Sequence, residues 1–157
     1  MHAVIFAAGK STRTYPLTLT RPKPLLPIAN KTIMAHQIDA LPDSVDTVVA
    51  IVGYRQEMIR EVMGAEYNGR KMVYVEQKEQ KGTGHALLQC ADLIDAPFMA
   101  FNGDDLYAPE DFARLASHDQ AALAKVVEDP RLYGIYEVDG NQNVVRLVEK
   151  PKEVFSN

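Results

Sequence analysis

A chain of 157 residues, 46% hydrophobic and 24% charged, fits one globular domain with a sizeable core and excludes a disordered chain. A net charge of −4 argues against a nucleic-acid binder held by phosphate contacts, which needs a basic surface, but leaves room for a small phosphorylated ligand met by a local group of Lys and Arg. The single cysteine, Cys90, excludes an internal disulfide framework; with no signal-peptide pattern and no long apolar run, a cytoplasmic protein with no membrane partner is expected.

The elements alternate. Ala3 to Ala7 is an unbroken apolar run, as a strand buried on both faces requires, and it ends in the small-residue loop Ala8-Gly9-Lys10-Ser11-Thr12-Arg13. Pro16, Pro22, Pro24 and Pro27 make residues 14 to 30 extended and irregular, because proline fixes φ and lacks an amide hydrogen. Thr32 is placed to cap a helix carrying Ile33, Ile38 and Leu41. Thr47 to Val52 reads as the second strand. The helix after it carries Met58, Ile59, Val62 and Met63 on one face and stops at Gly64.

Met72 to Val75 reads as a third strand, Ala86 to Ala91 as a helix, and Pro97 to Phe101 as a fourth strand ending at Asn102-Gly103-Asp104-Asp105. Cys90 lies in the apolar part of that helix, where a free thiol packs as a small hydrophobe. Pro109 to Ser117 is a helix with proline in its first turn, and Ala121 to Val127 is expected as a strand. Tyr133 to Val138 and Val144 to Val148 flank Asp139-Gly140-Asn141, a hairpin signal. Alternating strands and helices imply a mainly parallel sheet covered on both faces, with antiparallel strands added by the hairpin. Ligands of such sheets bind beyond the carboxyl ends of the strands, which directs attention to residues 8 to 15, 76 to 84 and 102 to 106.

The loop after the first strand is neither of the two commonest phosphate-binding loops. A Walker loop would need glycine at the position of Val4. A dinucleotide fingerprint would need glycines where Ala7 and Thr12 stand beside Gly9, and Gly82-Thr83-Gly84 fails the same pattern at Leu87. Small residues do let a backbone approach a nucleotide, and Arg13 and Lys23 supply positive charge suited to a triphosphate. Either cation alone would read as a solvated surface group.

Residues 7 to 28, Ala-Ala-Gly-Lys-Ser-Thr-Arg followed by Pro-Leu-Thr and Pro-Lys-Pro-Leu-Leu-Pro, together resemble the signature of the sugar-1-phosphate nucleotidyltransferases. The likeness continues through Val52-Gly53-Tyr54, through Gln77 and Gln80-Lys81-Gly82-Thr83-Gly84-His85-Ala86, and through Asn102-Gly103-Asp104, Tyr133-Gly134-Ile135 and Val148-Glu149-Lys150-Pro151. It covers residues 3 to 157 and is strongest toward the N-acetylglucosamine-1-phosphate and glucose-1-phosphate uridylyltransferases and the thymidylyltransferases.

The resemblance implies a three-layer α/β/α Rossmann-like fold with a mainly parallel, mixed sheet. It implies a nucleotidyltransferase domain over residues 1–157, cut short of the further strand and second metal-binding aspartate that follow in the family. It implies substrates, a nucleoside triphosphate and a sugar 1-phosphate, with release of pyrophosphate, and leaves room for a homo-oligomer. Its motifs carry nucleotide contacts to Ala7, Ala8, Gly9, Ser11, Thr12, Gln77, Gly82 and Thr83, and catalytic charges to Arg13 and Lys23. A Mg²⁺ ligand falls on Asp104, and sugar-phosphate contacts on Gly134, Glu149 and Lys150. The family usually has glycine where this chain has Ser11; a serine fits there if its φ is ordinary, and its hydroxyl could cap an amide. Two alternatives stay open at this point. One is a non-catalytic or truncated, inactive relative. The other is an enzyme that transfers cytidylyl or guanylyl groups.

Overall fold

Thr47-Val48-Val49-Ala50-Ile51-Val52 offers side chains to both faces of a strand, and in the computed structural model, which describes residues 1–153, it lies at the centre of a five-stranded sheet. The strands are β1 (His2–Ala7), β4 (Thr47–Val52), β5 (Glu66–Tyr67), β6 (Arg70–Glu76) and β7 (Phe98–Asn102), in the order β5-β6-β4-β1-β7. All pairs are parallel except β5 with β6. Between β1 and β4 lies a small antiparallel pair, β2 (Pro27–Ile28) with β3 (Lys31–Thr32). The helices of this unit are α1 (Ile33–Asp39), α2 (Gln56–Met63), α3 (Thr83–Leu88) and α4 (Pro109–Ala116).

The alternation of side chains along the strands divides the interior into two layers. Ala3, Ile5 and Ala7 of β1, with Val48, Ala50 and Val52 of β4, pack against Met34 and Ile38 of α1, Ile59 and Met63 of α2, and Phe112 of α4. Val4, Ala8, Val49 and Ile51 turn the other way and meet Ala86 and Cys90. Helices therefore cover both faces, and the fold is the three-layer, mainly parallel α/β arrangement expected.

Local signals act as their chemistry requires. Thr32 Oγ1 accepts from the Ala35 amide at 3.1 Å and caps α1. Gly64 ends α2 at φ 68°, and Pro109 opens α4. The third helix departs from expectation: α3 begins at Thr83 and closes at Leu88, and Ala91–Leu93 follow as a separate 3₁₀ turn. The third strand is longer than its apolar run, because Asn68 at φ 49° and Gly69 at φ 74° turn the chain into it from β5.

The chain divides into two units, residues 1–119 and residues 120 onward. The second unit contains the hairpin β8 (Gly134–Val138) with β9 (Val144–Glu149). The strand expected at Ala121 to Val127 is not formed. Ala and Lys are weak strand formers, and this segment pairs with no described strand. The hairpin itself forms, but residues 139 to 143 join its strands, so the connection is longer than a two-residue turn. Asp139 accepts from the amides of Asn141 at 2.8 Å and Asn143 at 2.9 Å and from Asn143 Nδ2 at 3.1 Å. Bonding to the Asn143 side chain, then to these amides, holds its carboxyl below the usual range. Ser156 and Asn157, where the family's chain is expected to run on, lie outside the described residues. Among the described residues no helix is long and apolar enough to cross a membrane.

Candidate active site

Parallel strands bring their carboxyl ends to one edge of the sheet, and a cleft of about 250 Å³ opens there in the first unit. Phe6, Ile51 and Ala86 give it apolar walls. Ala8 and Gly9 line it from the loop after β1, Gly82 and Thr83 from the start of α3. Gln77, Gln80 and Asn102 supply side-chain amides. An apolar slot edged by a few amides suits a flat heterocycle that carries both donors and acceptors.

The close packing of the loops explains two glycines. A Cβ on Gly53 would lie 2.9 Å from the Ala8 carbonyl oxygen, so only glycine lets the end of β4 lie against the first loop. A Cβ on Gly103 would lie 2.8 Å from the Phe6 carbonyl oxygen, which instead accepts the Gly103 amide at 3.0 Å. Gly82 stands at φ 96° and ψ 175°, a conformation open almost only to glycine.

Five of the residues assigned to the nucleotide, Ala8, Gly9, Gln77, Gly82 and Thr83, line this one cleft. Gln77 is buried, and its Nε2 donates to the Gly82 carbonyl at 3.3 Å. Ala7 sits inside β1 with its methyl in the opposite layer, so its side chain does not line the cleft. Thr12 and Arg13 form the 3₁₀ turn Thr12–Thr14 with exposed side chains and do not line the cleft.

Ser11 does not meet the condition of an ordinary φ. Its φ is 50° and ψ 46°, the left-handed conformation that glycine adopts freely and that costs other residues about 1–2 kcal/mol. Its hydroxyl caps nothing. Its carbonyl is the working group, accepting from the Thr14 amide at 3.1 Å, Thr14 Oγ1 at 2.7 Å and Thr18 Oγ1 at 3.1 Å. These bonds hold the loop in a shape the side chain does not favour.

The two charged motifs meet. Lys23 opens the turn Lys23–Leu25, anchored by buried Pro24 and Leu25, and its Nζ lies 2.9 Å from Asp104 Oδ2. The pair joins residues 81 positions apart. Asp105 is held differently, its Oδ2 accepting from Asn102 Nδ2 at 3.3 Å. Behind this turn the Tyr107 ring packs on Phe101 and Phe112 with centroids 5.3 and 5.0 Å away. Burial first, then the Asp105 charge, pushes its phenol up to about 12.

Among the described residues no three His, Cys, Asp or Glu side chains cluster as a metal cage. Asp104 is a single, partly exposed carboxylate. That donor set fits Mg²⁺ arriving on a polyphosphate, since this cation commonly takes one or two carboxylates and fills its remaining positions with phosphate oxygens and water.

In the second unit Gly134 pairs directly with Glu149 across the hairpin. A Cβ on Gly134 would lie 3.1 Å from Glu149 Oε2. Lys150 Nζ is 3.9 Å from Glu149 Oε1, and the Lys150 amide bonds the Tyr133 carbonyl at 2.9 Å. The hairpin therefore gathers the three residues assigned to the sugar phosphate.

Two polar residues of the cleft, Gln80 and Asn102, have no individual assignment from the motifs. Gln80 Nε2 donates to the Ala8 carbonyl at 2.9 Å and ties the loop before α3 to the loop after β1. Asn102 lines the cleft from the end of β7. Gln80 had a signal, its place at the head of a recognisable segment, but which main-chain group it reaches is a tertiary fact. Cys90 is buried, and burial pushes its thiol up, which suits packing and not nucleophilic chemistry.

The family model described as nucleotidyl transferase matches residues 2–157. The bifunctional protein GlmU of Methanocaldococcus jannaschii is 38% identical over 157 residues, covering 100% of this chain and 38% of that protein. The UTP–glucose-1-phosphate uridylyltransferase AglF of Haloferax volcanii is 36% identical over 165 residues, covering 100% of this chain and 68% of that protein. A crystal structure from Bacillus anthracis, described as a glucose-1-phosphate thymidylyltransferase with sucrose, superimposes with a TM-score of 0.82 at 22% identity, covering 99% of this chain and 67% of that one; at this identity the likeness is one of fold. The chain thus spans well under half the length of the GlmU protein it matches. With the family model spanning nearly the whole sequence, the chain belongs to the nucleotidyl transferase family, that of the sugar-1-phosphate nucleotidyltransferases.

Proposed function

We propose that this chain carries the nucleotide-binding half of a uridylyltransferase, which transfers UMP from UTP to a sugar 1-phosphate and releases pyrophosphate. The observation that carries the reading is the cleft at the strand ends, apolar on its walls and edged by the Gln77 and Gln80 amides. Gln77 Nε2 donates to the Gly82 carbonyl at 3.3 Å and lies 3.5 Å from His85 Nδ1, a long contact that a ligand carbonyl can replace, and its oxygen is left to accept from a ligand N–H. A uracil edge offers a carbonyl and a ring N–H to match. Thymine has the same edge with one added methyl, so dTTP is the second substrate this reading admits.

The reaction is a direct displacement. An oxygen of the sugar 1-phosphate, already ionised at neutral pH, attacks the α-phosphorus. The bond from that phosphorus to the bridging oxygen of the β-phosphate breaks, and pyrophosphate leaves with the electron pair. No general base is needed. Lys23 and Arg13 meet the negative charge of the triphosphate, and Gly134, Glu149 and Lys150 hold the acceptor. Mg²⁺, when bound at Asp104 with the triphosphate, supplies further charge neutralisation. We place the protein in the cytoplasm, a reading its single buried cysteine supports.

The test is pyrophosphate release from UTP, dTTP, CTP and GTP, each with Mg²⁺ and either glucose 1-phosphate or N-acetylglucosamine 1-phosphate. UTP should lead, dTTP should follow, and CTP and GTP should trail. Equal use of UTP and GTP would remove the base assignment. No release with any pair would leave a binding module.

A further inference from the structure

Gln37 is fully buried in α1, on the stripe Ile33–Gln37–Leu41 that otherwise carries hydrophobic side chains into the core. Its Nε2 donates to two main-chain carbonyls at once, that of Asn102 at 2.8 Å and that of Asp105 at 2.6 Å. These residues flank Gly103 and Asp104 in the turn after β7. Its Oε1 is buried with no hydrogen-bond partner.

We propose that Gln37 is a positioning residue, holding the turn that aims Asp104. The two carbonyls sit on either side of Asp104 in the chain, and one planar amide bonded to both fixes their separation and so the shape of the turn. Two further bonds complete the hold: the Gly103 amide on the Phe6 carbonyl at 3.0 Å, and Asn102 Nδ2 on Asp105 Oδ2 at 3.3 Å. The latter draws the Asp105 carboxylate back to the strand end. Asp104 is left as the carboxylate that faces Lys23.

The unpartnered oxygen shows that core packing alone does not call for this side chain. Methionine would fill the same space without a desolvated acceptor. The useful end of the amide is the one that reaches the turn, and it comes from a helix fixed in the core by Met34 and Ile38. Outer-shell bonds of this kind set the orientation of a ligating group, and losing one commonly weakens metal affinity about 10- to 100-fold.

The inference rests on the assignment of Asp104 to the metal-bearing triphosphate, so its test includes that assignment. UTP binding to the 157-residue chain is measured by calorimetry across a series of Mg²⁺ concentrations, with thermal unfolding of each variant recorded beside it. Gln37→Met should melt cooperatively, keep the affinity for UTP without Mg²⁺, and need about 10-fold more Mg²⁺ or above for half-maximal enhancement. Gln37→Asn, one methylene too short to span both carbonyls, should fall between wild type and Gln37→Met. Asp104→Asn should lose the Mg²⁺ dependence. An unchanged Mg²⁺ midpoint in folded Gln37→Met, with Asp104→Asn impaired, overturns the role of Gln37 alone. Failure of both Gln37 variants to fold assigns the residue to stability and also overturns it. A wild-type chain indifferent to Mg²⁺, or an Asp104→Asn variant that keeps the dependence, overturns the metal assignment and the inference together.

Discussion

The two units hold their candidate site residues by different means. In the first, the ties run between distant parts of the chain: Lys23 to Asp104, Gln80 to Ala8, Gln37 to the Asp104 turn. In the second, Gly134, Glu149 and Lys150 are gathered by one hairpin register and its neighbouring bonds. Two glycines condense the contrast. A methyl on Gly53 would meet the backbone oxygen of Ala8 at 2.9 Å, and that oxygen belongs to a loop packed from several sides. A methyl on Gly134 would meet the carboxylate tip of Glu149 at 3.1 Å, at the free end of a flexible side chain. The first unit's site is built on rigid backbone approach, the second's on side chains that can move aside.

The largest effects belong to the first unit's charges. Lys23→Ala and Arg13→Ala should each lower turnover on the order of 100-fold or more, about 3 kcal/mol in the transition state, because each removes a charge-assisted donor from a developing anion. Stability should change little. Lys23 gives up only a partly exposed ion pair, typically worth ~1 kcal/mol or less, and Arg13 is exposed. Steady-state kinetics beside thermal unfolding checks both parts. Near-normal turnover in both variants would take these residues out of the reaction.

Gly53→Ala comes next. With nowhere to go, the added methyl should force β4 and the first loop apart and cost about 1–3 kcal/mol, the usual range for overpacking. UTP affinity should fall with it, since Ala8 lines the cleft. Urea unfolding with calorimetry decides this. A neutral outcome would mean the loop is more yielding than its contacts suggest, and the contrast with the second unit would collapse.

A smaller effect tests the wall behind Asp104. The phenol of Tyr107 has its value raised from 10.0 to about 12, so the folded state favours its neutral form. That contribution is whole below pH 10 and is lost as pH rises through the folded value near 12. Denaturant unfolding of wild type and Tyr107→Phe should diverge only in this alkaline window, with wild type losing stability more steeply. Parallel curves would show that the ring is more hydrated than its packing indicates.

What could be read from the sequence follows the same division between local and distant causes. The runs Ala3 to Ala7 and Thr47 to Val52, the Thr32 cap and the Gly64 stop are set by neighbours in the chain, and all of them form. Gln77, Gly82 and Thr83 line one cleft with Ala8 and Gly9, and long ordered motifs mark all five in the sequence. Ala121 to Val127 is an apolar run with no described partner strand, and an apolar run without a partner does not make a strand. Ser11 takes a φ that its side chain does not favour, in a loop held by three bonds onto its carbonyl. Gln37 is silent in the sequence, and the motif that marks Gln80 does not say where it reaches, because nothing in a local pattern reveals a side chain that bonds to main chain more than 60 residues away.

Gly134→Ala is the finest probe of the comparison. The methyl would crowd Glu149 Oε2 and, at 3.3 Å, Leu147 Cδ1, both ends of side chains on an exposed strand. Both can turn away, and alanine meets no backbone penalty because Gly134 does not occupy the left-handed region. Unfolding should therefore shift by about 0.5 kcal/mol or less, the range of ordinary surface substitutions. Yet if Glu149 accepts sugar hydroxyls, moving its carboxylate should raise the KM for the sugar 1-phosphate while leaving the KM for UTP unchanged. Full kinetics in both substrates separates the outcomes. A loss of stability as large as that of Gly53→Ala would show that the hairpin is as rigid as the strand-end loops. An unchanged KM for both substrates would take the Glu149 carboxylate out of the acceptor site, and leave Lys150 to carry that assignment without it.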